Sequence, residues 1–284
     1  MKLLSHIKKD MEFNNSLYSL VEVLIAISIS QYRILEKKTR SFEKLFSALE
    51  SFFALIDVEN SRHPLINTAD RAPGIIVVTS DSGLIGGLNV QAMNMAMKEA
   101  RTTGAKLIVV GERGRLYAAD SGIPFVSFKG VQDETRLAQA QQLRDYIMEQ
   151  ESALKLGGLK IIFPRAFSIV SQQVQTLTLL PFSKVILSSV KAASGLGRDM
   201  ILESSVDDIV GYLVYLFLGH KFHEIFGFAR LAELSARFVH LENSKTKIDQ
   251  FNKQLKLQYF RQRHEVIDRN MREIFVARMT FNKG

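Results

Sequence analysis

The chain has 284 residues, 46% of them hydrophobic and 23% charged, which favours a folded protein over a disordered one. It contains no cysteine, which excludes disulfides, thiolate zinc sites and a cysteine nucleophile. We predict no membrane-spanning segment, because the longest uncharged apolar run covers only 209–219 and Glu22 interrupts the apolar stretch 17–30. The start of the chain lacks the pattern of a signal or transit peptide, so we expect a cytosol-like compartment.

The net charge is +8, and residues 220–284 carry most of it, with 13 Lys and Arg against 7 Asp and Glu. A basic helix in this segment has several interpretations: a nucleic-acid stripe, a membrane surface, a fit into an acidic protein cavity, or simply a solvated helix face.

Residues 1–58 contain no Gly or Pro and predict one long helix. At 1.5 Å per residue, 50 helical residues would extend about 75 Å, which a compact domain of this size cannot bury. The segment therefore needs a partner helix or another chain. Its apolar residues recur at helical spacing: Leu17, Leu20, Val21, Leu24, Ile27, Ile34, Leu35, Phe42, Leu45, Phe46, Leu49, Phe52 and Phe53.

Residues 59–205 alternate short apolar runs with helical patterns, which predicts βαβ units and a mostly parallel sheet. We expect Pro164 to end the fourth strand and Pro181 to follow the fifth. The predicted strands are 74–79, 107–110, 123–128, 159–163 and 173–180, and the predicted helices are 88–101, a short helix after 111–114, and 132–151.

Residues 206–284 predict a second long helix, with no Gly between Gly227 and Gly284 and no Pro at all. A long helix at each end of the chain favours an antiparallel coiled coil, because each helix supplies the apolar face that the other needs. The alternative is two separate amphipathic helices packed on the sheet. The predicted fold is thus a Rossmann-like α/β domain inserted between two long helices that form an antiparallel coiled coil.

The segment 79–89 (TSDSGLIGGLN) follows a predicted strand and opens a helix, where phosphate-binding loops lie. A P-loop needs Lys and then Ser or Thr after its last glycine, but Leu88 and Asn89 stand there. The spacing of Gly83, Gly86 and Gly87 also fails the G-x-G-x-x-G pattern. We therefore favour a tight strand-to-helix turn over a nucleotide site.

Other residues of catalytic type have simpler explanations. His220 and His223 share one helical turn, but no third metal ligand is placed with them, so we expect solvent-facing side chains. Asp207 and Asp208 follow Ser205 at the start of a predicted helix, which indicates capping. The sequence predicts no catalytic, metal or cofactor-binding residue.

Taken in order, these motifs resemble the γ subunit of F-type ATP synthases, the central rotor shaft. The segment 80–89 is similar to the family's S-D-R-G-L-C-G-G-L-N, with Ser82 and Ile85 departing from it. The segments 110–114 and 179–181 resemble its second strand and its L-L-P, and 233–243 resembles its E-x-x-A-R-M segment. The first helix departs most, because 14–28 is more apolar than the family's T-x-K-I-T-x-A-M signature and lacks its lysines.

The resemblance implies a non-catalytic subunit without cofactors, whose coiled coil turns inside a ring of three α and three β subunits. It implies that the globular domain rests on the membrane c-ring with the ε subunit, as a peripheral protein on the cytoplasmic face of a bacterial inner membrane or the equivalent organelle face. The residues that it implies as contacts with other subunits are Arg261, Arg263, Ile267, Glu273 and Ile274. In the same helix His264, Asp268 and Asn270 depart from the family pattern, so the contacts of this chain are expected to differ.

Two other functions remain as alternatives. One is a small α/β enzyme that binds a nucleotide at the 83–87 turn. The other is a basic coiled-coil protein that binds nucleic acid, although Glu265, Asp268 and Glu273 interrupt its positive charge.

Overall fold

The computed structural model describes residues 2–39, 47–48, 72–152, 156–180 and 204–281. In chain order the helices and strands are α1 (Lys2–Thr39), β1 (Gly74–Val78), α2 (Leu88–Thr103), β2 (Lys106–Val110), α3 (Glu112–Ser121), β3 (Phe125–Phe128), α4 (Arg136–Ser152), β4 (Leu159–Ala166), β5 (Gln172–Leu180) and α5 (Val206–Phe281). By contacts the chain divides into two units, one of Met1–Ser28 with Val239–Gly284 and the other of Ile29–Phe238. The predicted domain boundary at residue 58 lies outside the described residues.

The second unit contains a five-stranded sheet in the order β3-β2-β1-β4-β5. The pairs β1–β2, β2–β3 and β1–β4 are parallel, and β4–β5 is antiparallel. The predicted mostly parallel sheet is therefore confirmed. Every residue of β1 is buried, as expected for a β-branched run covered on both faces.

Helices cover both faces of this sheet. One face packs on α2 and α3, with Met93, Ala96 and Ala118 in that core. The other face packs on α4 and the first part of α5, with Leu143, Phe222 and Phe226 at its centre. The chain therefore changes faces between the α3 crossover and the α4 crossover, which makes the junction of β1 and β4 the topological switch point of the sheet.

Local sequence signals account for several element boundaries. Gly104 ends α2 in the left-handed conformation (φ 64°), and its N–H donates to Ala100 O. The Ser205 hydroxyl accepts a hydrogen bond from Asp208 N at 3.1 Å and donates to the Asp208 carboxylate at 2.6 Å, which is the predicted helix cap of α5.

The predicted boundaries of the other strands and of the helix 88–101 agree within two residues, but two boundaries differ by more and are wrong. Pro164 does not end β4, because β4 continues to Ala166 and Pro164 pairs with Val174 of β5. Beyond Ile162 the strand pairs with β5 but no longer with β1, and such an edge segment tolerates a residue without an N–H.

The predicted helix at 132–151 begins later, at Arg136. The Gln139 side chain explains the difference. Its amide oxygen accepts from Gln132 N at 3.0 Å, and its amide nitrogen donates to Gly130 O at 2.8 Å, which holds the segment 130–132 outside the helix.

The first unit contains an antiparallel helix pair, which confirms the predicted coiled coil. Lys245 Nζ of α5 lies 2.9 Å from the Glu22 carboxylate of α1 and 5.3 Å from the centre of the Tyr18 ring. Further along, Asn252 donates to Asn15 at 3.3 Å. Residue numbers rise along α5 as they fall along α1, so the two helices run in opposite directions.

By length and composition alone, one described helix, within Leu4–Lys38, is apolar enough to cross a membrane. From the sequence we predict no such segment. A single helix of this kind does not identify a membrane protein, because apolar helices that pack against protein meet the same criterion. Here Glu22 lies near the middle of the segment and is paired with Lys245 of the same unit.

Gly111 offers a test of how tightly the strand ends are packed. It has φ of 108°, and a Cβ there would lie 2.3 Å from Thr79 O. We expect Gly111→Ala to lower the free energy of unfolding by at least about 2 kcal/mol, through both the strained φ and the clash. Urea denaturation of the purified chain measures this change.

The matched control is Gly104→Ala. Gly104 also has positive φ, but nothing lies within 4 Å of its Cβ position. Gly104→Ala should lower the free energy of unfolding by about 1 kcal/mol. An equal loss of unfolding free energy in the two variants would contradict the close packing seen at Gly111.

Candidate functional site

The segment 79–89 forms the predicted strand-to-helix turn between β1 and α2. Asn89 stiffens it, since its amide oxygen accepts from Ser80 N at 3.2 Å and its amide nitrogen donates to Ser80 Oγ at 2.9 Å. Leu84 and Gly86 have φ of 63° and 59°, which gives the turn its tight reversal. Asp81 ties the turn to its neighbours by accepting hydrogen bonds from Glu112 N at 2.8 Å and Gly130 N at 3.0 Å.

The crevice at the carboxyl ends of β1 and β4 is where open α/β sheets bind ligands. In this chain α5 fills it. Ala229, Arg230 and Glu233 of α5 face Thr79 and Pro164 there, and the remaining cavity has a volume of about 10 Å³. Pockets for small molecules are typically about 300–1,000 Å³, so this crevice has no room for a nucleotide.

The Glu233 carboxylate is the centre of a buried polar cluster in the crevice. Only 5% of Glu233 is exposed, and Ser82 Oγ donates to its Oε1 at 2.8 Å. Arg237 donates to the same oxygen at 2.6 Å, and Arg230 donates to Oε2 at 2.7 Å. Arg237 also donates to Ser82 Oγ at 2.6 Å, so Ser82, Glu233 and Arg237 form a closed triangle. The carboxylate is engaged by its neighbours rather than presented to a substrate.

Larger cavities lie outside the crevice. One of about 360 Å³ lies between β4, β5 and α5, where Lys221 and Glu224 form an ion pair at 2.6 Å and Arg165 stacks on Phe228 at 4.5 Å. Another, of about 620 Å³, is mainly apolar and lies beside β2 and β3. Among the described residues that line them, neither cavity brings together a nucleophile, a general base and an oxyanion donor of the kind that acyl or phosphoryl transfer uses.

The histidine pair differs from expectation, because His223 is half-buried rather than solvent-facing. Its Nε2 accepts a hydrogen bond from Arg136 Nε at 3.1 Å, which joins α4 to α5. Burial, together with the nearby charges of Arg136 and His220, lowers the pKa of His223 to about 4. Within the described ranges, no cluster of three or more His, Cys, Asp or Glu could hold a metal ion.

The residues predicted as contacts with other subunits lie along the last part of α5, and all five are exposed: Arg261, Arg263, Ile267, Glu273 and Ile274. At about 100° per residue, Arg263, Ile267 and Ile274 fall within about 40° of one another around the helix. Arg261 and Glu273 lie on other sides of it. The structure therefore groups three of the five on one stripe.

The end of α5 extends beyond α1 within the first unit. The Glu22–Lys245 and Asn15–Asn252 contacts bring Lys2, the first described residue of α1, level with about residue 265. Past that point the apolar side chains are largely exposed, including Met271 at 66%, Ile274 at 68% and Phe275 at 63%. We call residues 266–281 the tip of α5. Sequence periodicity did not reveal this exposure, because it gives no register between the two helices.

The geometry defines a class of protein: an α/β sandwich whose ligand crevice is filled by its own long helix, with a helix pair that leaves an exposed apolar end. A family model described as ATP synthase matches residues 3–278. The chain belongs to this ATP synthase family.

Individual relatives agree with this assignment. The chain is 24% identical over 266 residues to the ATP synthase gamma chain of a Picosynechococcus species, covering 83% of this chain and 85% of the relative. It is 29% identical over 225 residues to the ATP synthase gamma chain of Dechloromonas aromatica, covering 75% and 76%.

Solved structures agree in fold. A chain in the OSCP/F1/c-ring structure of Euglena gracilis mitochondrial ATP synthase matches with a TM-score of 0.71 at 15% identity, over 100% of this chain and 96% of that one. A chain of the central stalk and c-ring of Tetrahymena thermophila mitochondrial ATP synthase matches with a TM-score of 0.61 at 15% identity, over 79% and 99%. At this identity the likeness concerns the fold alone.

The His223–Arg136 contact predicts a pH dependence of stability. Because the folded pKa of about 4 lies below the ordinary value of 6.5, the unfolded chain binds a proton first as the pH falls. The contribution of His223 to stability is therefore fully present above about pH 6.5 and declines between pH 6.5 and 4. We expect His223→Gln, which retains an acceptor for Arg136, to flatten this decline in urea midpoints measured at pH 7.5, 6 and 5.

The control is His264→Gln, at an exposed position of the same helix. It should keep the decline of the unmodified chain. The decline in stability would not be due to His223 if both variants lost stability with falling pH as steeply as the unmodified chain.

Proposed function

We propose that this chain is the central-stalk rotor subunit, of γ type, of an F-type ATP synthase. Its membership of the ATP synthase family and the gamma-chain names of its relatives support this role. An antiparallel helix pair and an α/β domain in one chain are the elements expected of such a shaft. In this role the segments 1–58 and 206–284 contribute the shaft, and 59–205 contributes the globular domain.

The observation that carries the proposal is the exposed apolar tip of α5. A single helical segment of about 15 residues is marginal in water without a partner. The tip nevertheless exposes Ile267, Met271, Ile274, Phe275, Val276 and Met279, each by 40% or more. Such a surface is expected to be covered by other protein. A ring of subunits that surrounds the tip would provide that cover.

The mechanism is transmission rather than bond chemistry. Ion flow through the membrane turns the c-ring and the attached shaft, and the asymmetric shaft drives the β subunits through different conformations. A stiff coiled coil suits this task because it carries torque along its length. The filled crevice supports a non-catalytic subunit, since the place where an α/β enzyme binds its ligand is occupied by Glu233 and its neighbours.

The partners proposed are three α and three β subunits around the helix pair, with the ε subunit and the c-ring at the α/β domain. The chain would then be a peripheral membrane protein on the cytoplasmic face of a bacterial inner membrane, or on the equivalent organelle face. The proposed contacts with β subunits are Arg261, Arg263, Ile267, Glu273 and Ile274. Exposure of all five is consistent with this use.

The alternative functions are not favoured. A nucleotide-binding enzyme would need room at the strand ends, where only about 10 Å³ remains. A nucleic-acid-binding helix would need an uninterrupted basic track. Along α5, Lys245 and Lys253 are instead engaged by Glu22 and Asp249, at 2.9 and 2.7 Å.

The stoichiometry of the native complex tests the proposal. We expect quantitative mass spectrometry of the complex, isolated in mild detergent, to find one copy of this chain with three α- and three β-type ATPase subunits. Recovery of the chain alone, or with nucleic acid, would refute the rotor role.

A substitution at the tip tests the contact surface. Ile274→Asp should leave the stability of the isolated chain unchanged, because this side chain is 68% exposed. It should weaken assembly with the α and β subunits about tenfold or more, since burying an isoleucine contributes roughly 1.5–3 kcal/mol and a buried carboxylate adds a cost. Titration of the chain into a preassembled α/β ring, followed by ATPase activity, measures this effect.

The matched control is Leu116→Asp on α3, where the apolar side chain is 46% exposed. It should assemble with the ring as well as the unmodified chain. Unchanged assembly of Ile274→Asp would remove this residue from the proposed interface.

A further inference from the structure

The α5 turn Leu231–Arg237 is surrounded by three other parts of the second unit. These are the end of α1 with Tyr32 and Leu35, the loop 80–88, and the hairpin turn 166–172 between β4 and β5. We call these three parts the collar. All of its contacts lie within the unit Ile29–Phe238, and the turn that it surrounds ends one residue before that unit does.

The apolar contacts of the collar reach two sides of the helix. Leu231 and Leu234 pack with Tyr32 and Leu35, in a cluster that also includes Ile169. Elsewhere around the helix, Ala232 and Ala236 pack with Ile85 and Leu88. The small alanine side chains allow the loop 80–88 to come close to the helix backbone. Such packing holds the helix in place, but it is non-directional and does not by itself fix its rotation.

Directional hydrogen bonds hold the same turn on two nearly opposite sides. On one side Ser82 Oγ donates to Glu233 at 2.8 Å and accepts from Arg237 at 2.6 Å. On the other side Ser235, which is fully buried, directs its hydroxyl at Ile169 O at 2.9 Å, with Ser168 O and Gln172 Oε1 both at 3.1 Å. At about 100° per residue, Glu233 and Ser235 point about 160° apart.

This arrangement opposes rotation of α5 about its own axis. Turning the helix in either direction would stretch the Ser82 bonds on one side and the Ser235 bonds on the other. Both attachments are themselves braced, since Ser80 Oγ donates to Ser82 O at 2.7 Å and Phe167 N donates to Ser171 O at 2.9 Å across the hairpin turn. The buried cluster also reaches the segment before α4, because Arg230 lies 3.5 Å from Asp133.

We propose that the collar fixes the rotational position of α5 in the α/β domain, and that Ser82 and Ser235 are positioning residues through which torque passes between domain and helix. This inference rests on the proposed rotor function. It adds to that function the specific bonds that carry the load. Ser82 stands where the family has an arginine. In the collar it acts as a short hydrogen-bonding link between the loop and Glu233.

The double variant Ser82→Ala/Ser235→Ala removes both directional links while it keeps every charge in the cluster. The matched control is Ser28→Ala/Ser244→Ala, because within the part of the chain that the structure describes these two hydroxyls bond to carbonyls of their own helices, Leu24 O and His240 O. Since the chain has no cysteine, Asp120→Cys on α3 provides a single attachment point for a bead in either background.

The measurement uses the assembled complex with its α/β ring fixed to a surface. We expect the variance of the bead angle in the stalled complex to rise at least twofold in the double variant, which corresponds to half the torsional stiffness. In vesicles, ATP synthesis should fall several-fold relative to ATP hydrolysis. The control should match the unmodified chain in both readouts. Ser82→Ala and Ser235→Ala alone should each give part of the effect, and Ser82→Thr, which retains the hydroxyl, should keep normal stiffness.

The outcomes separate the two proposals. Normal stiffness and coupling in the double variant, or in both single variants if the double variant does not assemble, would overturn the role of the collar. Failure of the unmodified chain to assemble with α and β subunits would instead overturn the rotor function itself.

Discussion

Burial of α5 is the constraint on which the rest of the structure depends. A helix of 76 residues cannot be covered by one compact domain, so different stretches of it are covered by different parts of the chain. Its first part lies on one face of the sheet, where Val214, Phe222 and Phe226 are completely or almost completely buried. Its middle passes through the strand-end crevice, and its later part pairs with α1. The apolar side chains of the tip are largely left uncovered by the described parts of the chain.

The crevice at the strand ends, where this kind of fold commonly binds a ligand, is occupied in this chain by α5. In an open α/β sheet the topological switch point leaves a gap because the neighbouring crossovers leave on opposite faces. In this chain the gap between β1 and β4 admits a helix with alanines at 229, 232 and 236. Side chains of that helix bond to Ser82 of the loop, whereas Thr79 and Ser80 find their partners at Val110 O and Ser82 O. The strand-to-helix turn at 79–89 contains three glycines but lacks the spacing of a phosphate loop, and it contacts α5 instead.

Much of the fold could be predicted because its signals are local. The buried run of β1, Gly104 at the end of α2 and Ser205 at the start of α5 each act through residues within a few positions. The errors at Pro164 and at the start of α4 arose because pairing with β5 and the Gln139 side chain override local preference.

The contacts of the candidate site were less accessible to sequence reasoning. Ser82 and Glu233 are 151 positions apart, and no local pattern records their hydrogen bond. The spacing of Glu233 and Arg237 does indicate a shared helix face, and the small residues Ala232, Ser235 and Ala236 indicate a close approach by another segment. What the sequence lacks is the identity of that segment. The partly buried His223 was misjudged for the same reason, since Arg136 comes from a different helix.

The collar and the tip place opposite physical demands on the same helix, α5. Within the collar the helix must not turn, so its polar groups are buried and bonded: Glu233 is 5% exposed and Ser235 is fully buried. At the tip the apolar side chains are exposed. Among the described residues the polar side chains there make few hydrogen bonds to other elements; Arg272, for example, donates to the carbonyl of Asp268 in its own helix. Directional hydrogen bonds resist rotation, whereas apolar contact is non-directional and allows surfaces to slide. A helix held by hydrogen bonds within the collar and covered by apolar contact at its tip can therefore turn with one body while moving against another.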